Sequence, residues 1–391
     1  MITAFVDMVG LLMVLPLLPF YAVELGGAGM VVGVLVSSYA VAQLISAPLW
    51  GRVSDRYGRR PALLVGLGFS AVAYVIFSYA GTILVLLLSR LVQGAGGGTT
   101  GVIQAYVADA TEPENRARSL GWISAATNLG VAIGPVLGSL SYQWGREAPG
   151  LLAAALCALN MLFAWRFLRE SHDVNSAASA GFKVQRSREA VLGVIRRSGE
   201  PASRLIWIYA LAMGAFQGMT AILALFLAIR FDVDEETIGY FFMYIGAISV
   251  LTRAAILGPV VDRFGEARLS RMGTVILAAG LAAIPFTHSY LTLALAVALV
   301  PIGTAFTFPC ITSLLSRVIS RHERGLYMGV QQTFGGMARV IGPLWAGWAW
   351  DNLGVGVPFW TGAVIVAATL LLGLGMDGYT RSKSAAATLS A

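Results

Sequence analysis

Long runs of apolar residues without a single charged side chain alternate along the chain with short polar segments. Gly26 to Gly51, Pro61 to Ser89, Ser119 to Gly145, Leu205 to Ile229 and Leu353 to Met376 contain no Asp, Glu, Lys or Arg. Each is long enough to cross a hydrocarbon core of roughly 30 Å, which takes about 20 helical residues. Met272 to Ser316 is uncharged over a length that fits two crossings, and Pro285, Thr287, His288 and Ser289 mark a turn at its middle. In lipid a backbone must satisfy its own hydrogen bonds, so the choice lies between helices and a closed barrel; these runs lack the alternation of barrel strands. The pattern predicts an all-α membrane protein with twelve transmembrane helices, at 2–23, 30–50, 61–80, 83–109, 119–144, 148–168, 204–229, 237–258, 269–286, 290–316, 326–350 and 356–377. The expected organisation is a six-helix bundle at 1–168, a linker at 169–203, a second bundle at 204–378 and a tail at 379–391. The linker is rich in Ser, Ala and basic residues and is expected to form, in part, an amphipathic surface helix.

Composition agrees with a lipid environment: 57% of the 391 residues are hydrophobic and 12% charged, where a soluble domain has about a quarter charged. The positions of the basic residues give an orientation, because Lys and Arg are retained on the cytoplasmic side. With both termini inside, the cytoplasmic loops hold Arg52, Arg56, Arg59 and Arg60, then Arg116 and Arg118, the linker arginines, Arg263, Arg268 and Arg271, and Arg317, Arg321 and Arg324. The outer loops hold Arg146 and Arg230. A net charge of +7 then faces anionic lipid heads and calls for no nucleic acid. The expected location is the cell (plasma or inner) membrane. The first span carries Asp7 and lacks a polar cleavage region, so it is read as a retained helix. Cys157 and Cys310 fall in spans and are read as packing residues.

The chain repeats itself. Gly51, Asp55, Arg56 and Gly58 after the second span recur as Gly258, Asp262, Arg263 and Gly265 after the eighth, displaced by 207 positions. Gly134-Pro135 recurs as Gly342-Pro343, and Arg116 with Gly121 as Arg324 with Gly329, displaced by 208. Three collinear matches indicate two copies of a six-helix unit. Parallel halves of this kind place a site near mid-membrane at their interface and rock around it.

The run Gly51 to Arg60, followed by Pro61, resembles the signature loop of the major facilitator superfamily, and the likeness covers nearly the whole chain. It implies the major facilitator fold of two pseudo-symmetric six-helix bundles and a gate at the cytoplasmic side, formed by Gly51, Asp55, Arg56, Gly58 and Arg59 with Asp109 at the end of the fourth span. Asp262 and Arg263 take the same places in the second copy, where Glu266-Ala267 replaces Arg59-Arg60 and a weaker latch is expected. A partly buried ion pair at a moving contact can bias two states.

Further features fall inside spans. Arg90 and Gln93 with Gly94 resemble the superfamily's proton-coupling motif, and a guanidinium in lipid costs several kcal/mol unless paired or hydrated. Gly130, Gly134, Pro135 and Gly138 resemble the antiporter motif; glycines four apart share a helix face and suggest a compact, pliable contact against the other half. Asp7 with Gly10, Pro16 and Pro19 is similar to the first helix of tetracycline-type drug exporters, and a carboxyl roughly 8 Å into a helix is a place where protons and substrates can compete. The formal G-x-G-x-x-G at Gly96 to Gly101 has no preceding strand and is read as close helix packing. Arg253 and Arg339 either face the cavity and meet an anionic group, or snorkel or pair with Asp7 or backbone carbonyls. Asn128, Phe216, Gln217, Gln331 and Gln332 are candidates to line the cavity with Gln93.

No nucleotide-binding or metalloprotease motif is present and the three histidines lie far apart, so the expectation is no enzyme, no cofactor and no metal site. The resemblance implies a monomeric, proton-coupled antiporter of the multidrug-efflux type, with protons, a small-molecule substrate and membrane lipids as partners. A same-fold carrier of a metabolite, sugar, lipid or anion is the alternative, and a non-transporting receptor a remote one.

Overall fold

The computed structural model describes residues 1–171, 184–320 and 322–375. No strand is present among them. Twelve helices follow the twelve apolar runs: α1 Ile2–Glu24, α2 Gly29–Tyr57, α3 Arg59–Ser78, α4 Ile83–Ala110, α5 Pro113–Tyr142, α6 Ala148–Phe167, α7 Pro201–Phe231, α8 Ile238–Phe264, α9 Glu266–Phe286, α10 Tyr290–Val318, α11 Arg324–Leu353 and α12 Val357–Leu372. The largest departure from the expected spans is α2, which continues past 50 to Tyr57 because the polar signature segment stays helical. Gly51, expected at a turn, therefore lies within a helix, with open space where a side chain would be. Gly58 ends the helix with φ +100°, and Gly265 ends α8 with φ +76°, a backbone region that penalises any side chain.

Three helices are interrupted. α1 consists of Ile2–Val14 and Leu18–Glu24, the break falling at Pro16, with Pro19 at the start of the second piece. α4 consists of Ile83–Gly96 and Thr99–Ala110, parted at Gly97 and Gly98. α2 supplies the donors that the break requires. Ser46 Oγ bonds the Gly94 carbonyl at 3.0 Å, Trp50 Nε1 that of Ala95 at 2.6 Å, and Gln43 Nε2 that of Gly97 at 3.0 Å. α8 holds a π-helical turn at Thr252–Ile256.

Small residues bring helix backbones together. On α5, a Cβ at Gly130 would stand 2.8 Å from the Phe5 carbonyl oxygen and one at Gly134 2.8 Å from that of Val9, so this face is seated on α1. The repeat reproduces the arrangement in α11 and α7, where a Cβ at Gly342 would overlap the Gly214 carbonyl and one at Gly218 would stand 2.9 Å from that of Gly342.

By compactness the chain divides into a first unit, Met1–Gly181 with Ala221–Ala247, and a second, Phe182–Thr220 with Ile248–Ala391. In the first unit the opening of α8 joins α5: Ser139 Oγ donates to the Glu235 carbonyl at 2.6 Å and accepts from the Gly239 amide at 2.9 Å. In the second unit the connector helix Val184–Arg196 buries Val194 against Leu205, Leu315, Ile319 and Val330, giving the amphipathic linker helix a docking face. Residues 172–183 of the linker and the tail at 379–391 lie outside the described residues.

Gly342→Leu must push α11 off α7, a strain on the order of 1–3 kcal/mol. The expected outcome is a lower melting midpoint in detergent than that of Gly329→Leu, whose position is open. Thermal unfolding followed by tryptophan fluorescence reads the difference.

Candidate functional site

The signature loop closes around Arg59. Its side chain is 11% exposed and bonds Asp55 Oδ1 at 2.6 Å, Asp109 Oδ2 at 2.9 Å and Ser54 Oγ at 2.8 Å, joining α2, α3 and α4. Glu170, just beyond α6, accepts the Arg59 amide at 2.8 Å and the Arg60 amide at 3.1 Å. A carboxylate on the free amides of a helix N-terminus is favoured by hydrogen bonding and by the helix dipole. Gly58 makes room for it, since a Cβ there would press on the Glu170 carboxylate. Arg56, expected in the latch, instead lies over the ring of Tyr57, 5.4 Å from its centre, on the exposed side of the helix.

The second copy keeps the ion pair and reverses its sign. Glu266 stands at the repeat position of Arg59 and Arg317 at that of Asp109, and they meet at 2.7 Å. Ser313 donates to the same Glu266 oxygen at 2.8 Å. The ion pair of this half is thus Glu266 with Arg317, and Arg263 lies over Phe264 at 5.5 Å, as Arg56 does over Tyr57. Arg317 in the place of Asp109 is a partner that the sequence expectation did not name. Gly258, like Gly51, is open and inside a helix.

Deeper in the first unit a chain of polar groups crosses four helices, α1 to α4. Arg90, 1% exposed, donates to Gln93 Oε1 and lies over the Tyr39 ring at 4.9 Å. Gln93 Nε2 donates to the Tyr74 hydroxyl at 2.8 Å. That hydroxyl abuts α1 at Gly10, where a Cβ would stand 3.2 Å from it. One turn earlier on α1, Asp7 accepts a hydrogen bond from Thr99 Oγ1 at 3.1 Å. Thr99 opens the second piece of α4, so the carboxyl sits where a half-helix begins and its first amides lack intrahelical partners. Arg90 has aromatic and amide neighbours and, among the described residues, no carboxylate partner. Gln93, expected in the cavity, is 4% exposed and belongs to the same chain.

The antiporter glycines sit differently from their expected place. Gly130, Gly134 and Gly138 contact α1 within their own half; the neighbouring face, through Ala132, Pro135 and Ser139, receives Gly246 and Gly239 of α8. A Cβ at Gly239 would overlap the Pro135 carbonyl oxygen. α5 is thus pinned between two helices by backbone proximity on both sides.

Among the remaining cavity candidates, Gln331 is fully buried and donates to Thr312 Oγ1 at 3.0 Å, a packing role. Phe216 meets Phe308 at 6.4 Å between ring centres, and Phe308 meets Tyr209 at 5.2 Å. Asn128 and Gln217 are half-buried. Glu24, at the end of α1, pairs with Arg146 at 2.7 Å, and Arg146 also bonds the Ala80 carbonyl at 2.9 Å.

Residues 1–257 and 254–388 each match the Major Facilitator Superfamily. The chain belongs to this superfamily. It is 30% identical over 360 residues to tetracycline resistance protein, class G, of Vibrio anguillarum, covering 88% of this chain and 90% of that protein. It is 27% identical over 373 residues to multidrug resistance protein 1 of Bacillus subtilis (strain 168), covering 94% and 92%. Among solved structures the human organic anion transporter MFSD10 (TETRAN) shares the fold with a TM-score of 0.70 at 24% identity, covering 95% of this chain and 97% of that one.

This major facilitator protein is therefore a multi-pass membrane transporter of a small molecule and not an enzyme. Of the site residues absent from the sequence expectations, Glu266 and Arg317 were the most accessible, because adding the repeat offset to Arg59 and Asp109 gives both. Glu170, Tyr39 and Tyr74 carry no such mark; their contacts join distant parts of the chain. Reversing the second pair tests its role. Glu266→Arg and Arg317→Glu singly are expected to lose on the order of 1–3 kcal/mol, and the double variant to recover most of it, since Asp262 one turn away then recreates the first copy's pattern. Melting midpoints of the four proteins in detergent measure this coupling.

Proposed function

We propose that this transporter exports amphiphilic small molecules in exchange for protons, by alternating access. The observation that carries the reading is the position of Asp7, the carboxyl in the first piece of α1, bonded to Thr99 at the break of α4. Beside it the Gly10 to Tyr74 contact leads to Gln93 and Arg90. Protonation of Asp7 removes an anion from the half-helix start and leaves a hydroxyl donor, so the local contacts of α1 and α4 depend on the proton. The first piece of α1 is also held backbone-to-backbone on α5 at Gly130 and Gly134, so a shift of α1 carries α5 with it. The similarity to tetracycline and multidrug resistance proteins supports export of drug-like amphiphiles.

In this reading the signature-loop side, with Arg59 and Asp109 and with Glu266 and Arg317, faces the cytoplasm of the plasma or inner membrane, both termini lie on that side, and the protein acts as a monomer. The two ion pairs are broken and remade once per cycle. The bundles 1–168 and 204–378 are the parts that rock, and the linker 169–203 connects them.

Everted membrane vesicles energised by respiration test the coupling with a panel of tetracycline, ethidium and fluorescein. Wild type is expected to accumulate at least one of them, and an uncoupler to abolish the accumulation. Asp7→Asn is expected to lose concentrative uptake at least tenfold while keeping exchange down a gradient. Undiminished uphill transport by Asp7→Asn contradicts the assignment.

A further inference from the structure

Two arginines in the second unit lie within membrane helices without a counter-charge. Arg253 stands in the π-helical turn of α8 and Arg339 in the middle of α11. The Nε of each is buried with no hydrogen-bond partner, and neither takes part in an ion pair among the described residues. The ionisable neighbour that acts on Arg253 is the phenol of Tyr209, on α7. That phenol lies within electrostatic reach of both guanidinium groups and of the Gln332 side chain. The phenol ring is fixed by close approach to Gly335, whose Cβ would stand 2.8 Å from Tyr209 Cε1, and by the edge contact with Phe308. Phe216 extends the aromatic wall. Glu266, a carboxylate of the same unit, is already taken by Arg317 and Ser313.

Two like charges near one phenol in a lipid-embedded bundle repel each other and are each costly to bury, so the arrangement lacks an anion. The elements that hold them suit an organic one. The guanidinium fork matches a carboxylate or sulfonate, the phenol and amide add polar partners, and the rings of Phe308 and Phe216 offer an apolar surface beside the charge. The π turn is a local departure from α-helix of the sort that recurs at functional sites, and it places Arg253 out of the regular helical register.

We propose that Arg253, Arg339, Tyr209 and Gln332 bind the acidic group of the cargo, which makes the substrate an amphiphilic organic anion with an aromatic or aliphatic body. The assignment deepens the transport reading above and rests on it for the identity of the bound molecule as cargo.

Binding can be read without any gradient. Purified full-length protein in detergent is titrated against fluorescein by fluorescence anisotropy, with 2-naphthoate and tetraphenylphosphonium as competitors. Wild type is expected to bind fluorescein saturably, and 2-naphthoate to displace it while the cation does not. Arg253→Gln and Arg339→Gln are each expected to weaken binding at least tenfold. Tyr209→Phe and Gln332→Ala, which keep both charges, are expected to weaken it several-fold and serve where an arginine variant does not fold. Equal binding by the Arg253→Gln/Arg339→Gln double variant, displacement by the cation alone, or no saturable binding of either aryl anion overturns the proposal. Anion binding that survives while proton-driven uptake fails in vesicles sinks the coupling and leaves this site standing; proton-driven uptake of cations alone does the reverse.

Discussion

A bundle in lipid has no water to complete its hydrogen bonds, so each backbone or side-chain polar group inside it needs a partner within the protein. The rest of the structure follows from how that constraint is met. At the parting of α4 by Gly97 and Gly98, the carbonyls of Gly94, Ala95 and Gly97 accept hydrogen bonds from Ser46, Trp50 and Gln43 of the adjacent helix. Because those donors come from α2, the break is fixed in place and Thr99 is presented to Asp7. Arg90 is accommodated by an amide and an aromatic face, with no salt bridge, and this leaves the Asp7 carboxyl without a competing cation. The Nε atoms of Arg90, Arg253 and Arg339 are alike buried without a hydrogen-bond partner, but Arg90 keeps Gln93 and the Tyr39 face, whereas Arg253 and Arg339 are the pair for which an anionic ligand is proposed.

Duplication has preserved geometry more strictly than chemistry. The positive-φ glycines that end α2 and α8, and the helix pairs α1 with α5 and α7 with α11 drawn together by glycine, recur in both halves. The ion pair beside each signature loop recurs with its charges exchanged, Arg59 with Asp109 and Glu266 with Arg317. What is conserved between the copies is an opposite-charge contact between fixed backbone positions, and either polarity provides it. The surroundings differ: Arg59 is nearly buried and also holds Asp55 and Ser54, whereas Arg317 is largely exposed, so the first pair is the one with more to lose when separated.

The spans were legible because twenty uncharged residues in a row have one economical explanation in this environment. Their ends were less so, since α2 runs on through the polar signature segment after its apolar stretch has stopped. Repeat arithmetic located both signature loops. It misled at Asp262 and Arg263, where identical residues drew attention away from the altered pair that makes the contact. The antiporter glycines were assigned the right physical property and the wrong neighbour, because helix periodicity says which residues share a face and not which helix that face meets. Glu170 and Tyr209 left no local mark at all; one terminates a helix in a polar loop and the other is one aromatic among many in the spans.

In the proposed exchange, a proton at Asp7 governs which way the bundles stand. The direct measurement is the distance distribution between spin labels placed on exposed residues at the signature-loop ends, Arg52 and Arg268, in wild type and in Asp7→Asn. Cys157 and Cys310 are buried, which limits background labelling. Lowering the pH is predicted to redistribute the wild-type distances and to leave those of Asp7→Asn unchanged. An identical pH response in the two proteins, or none in wild type, would contradict it.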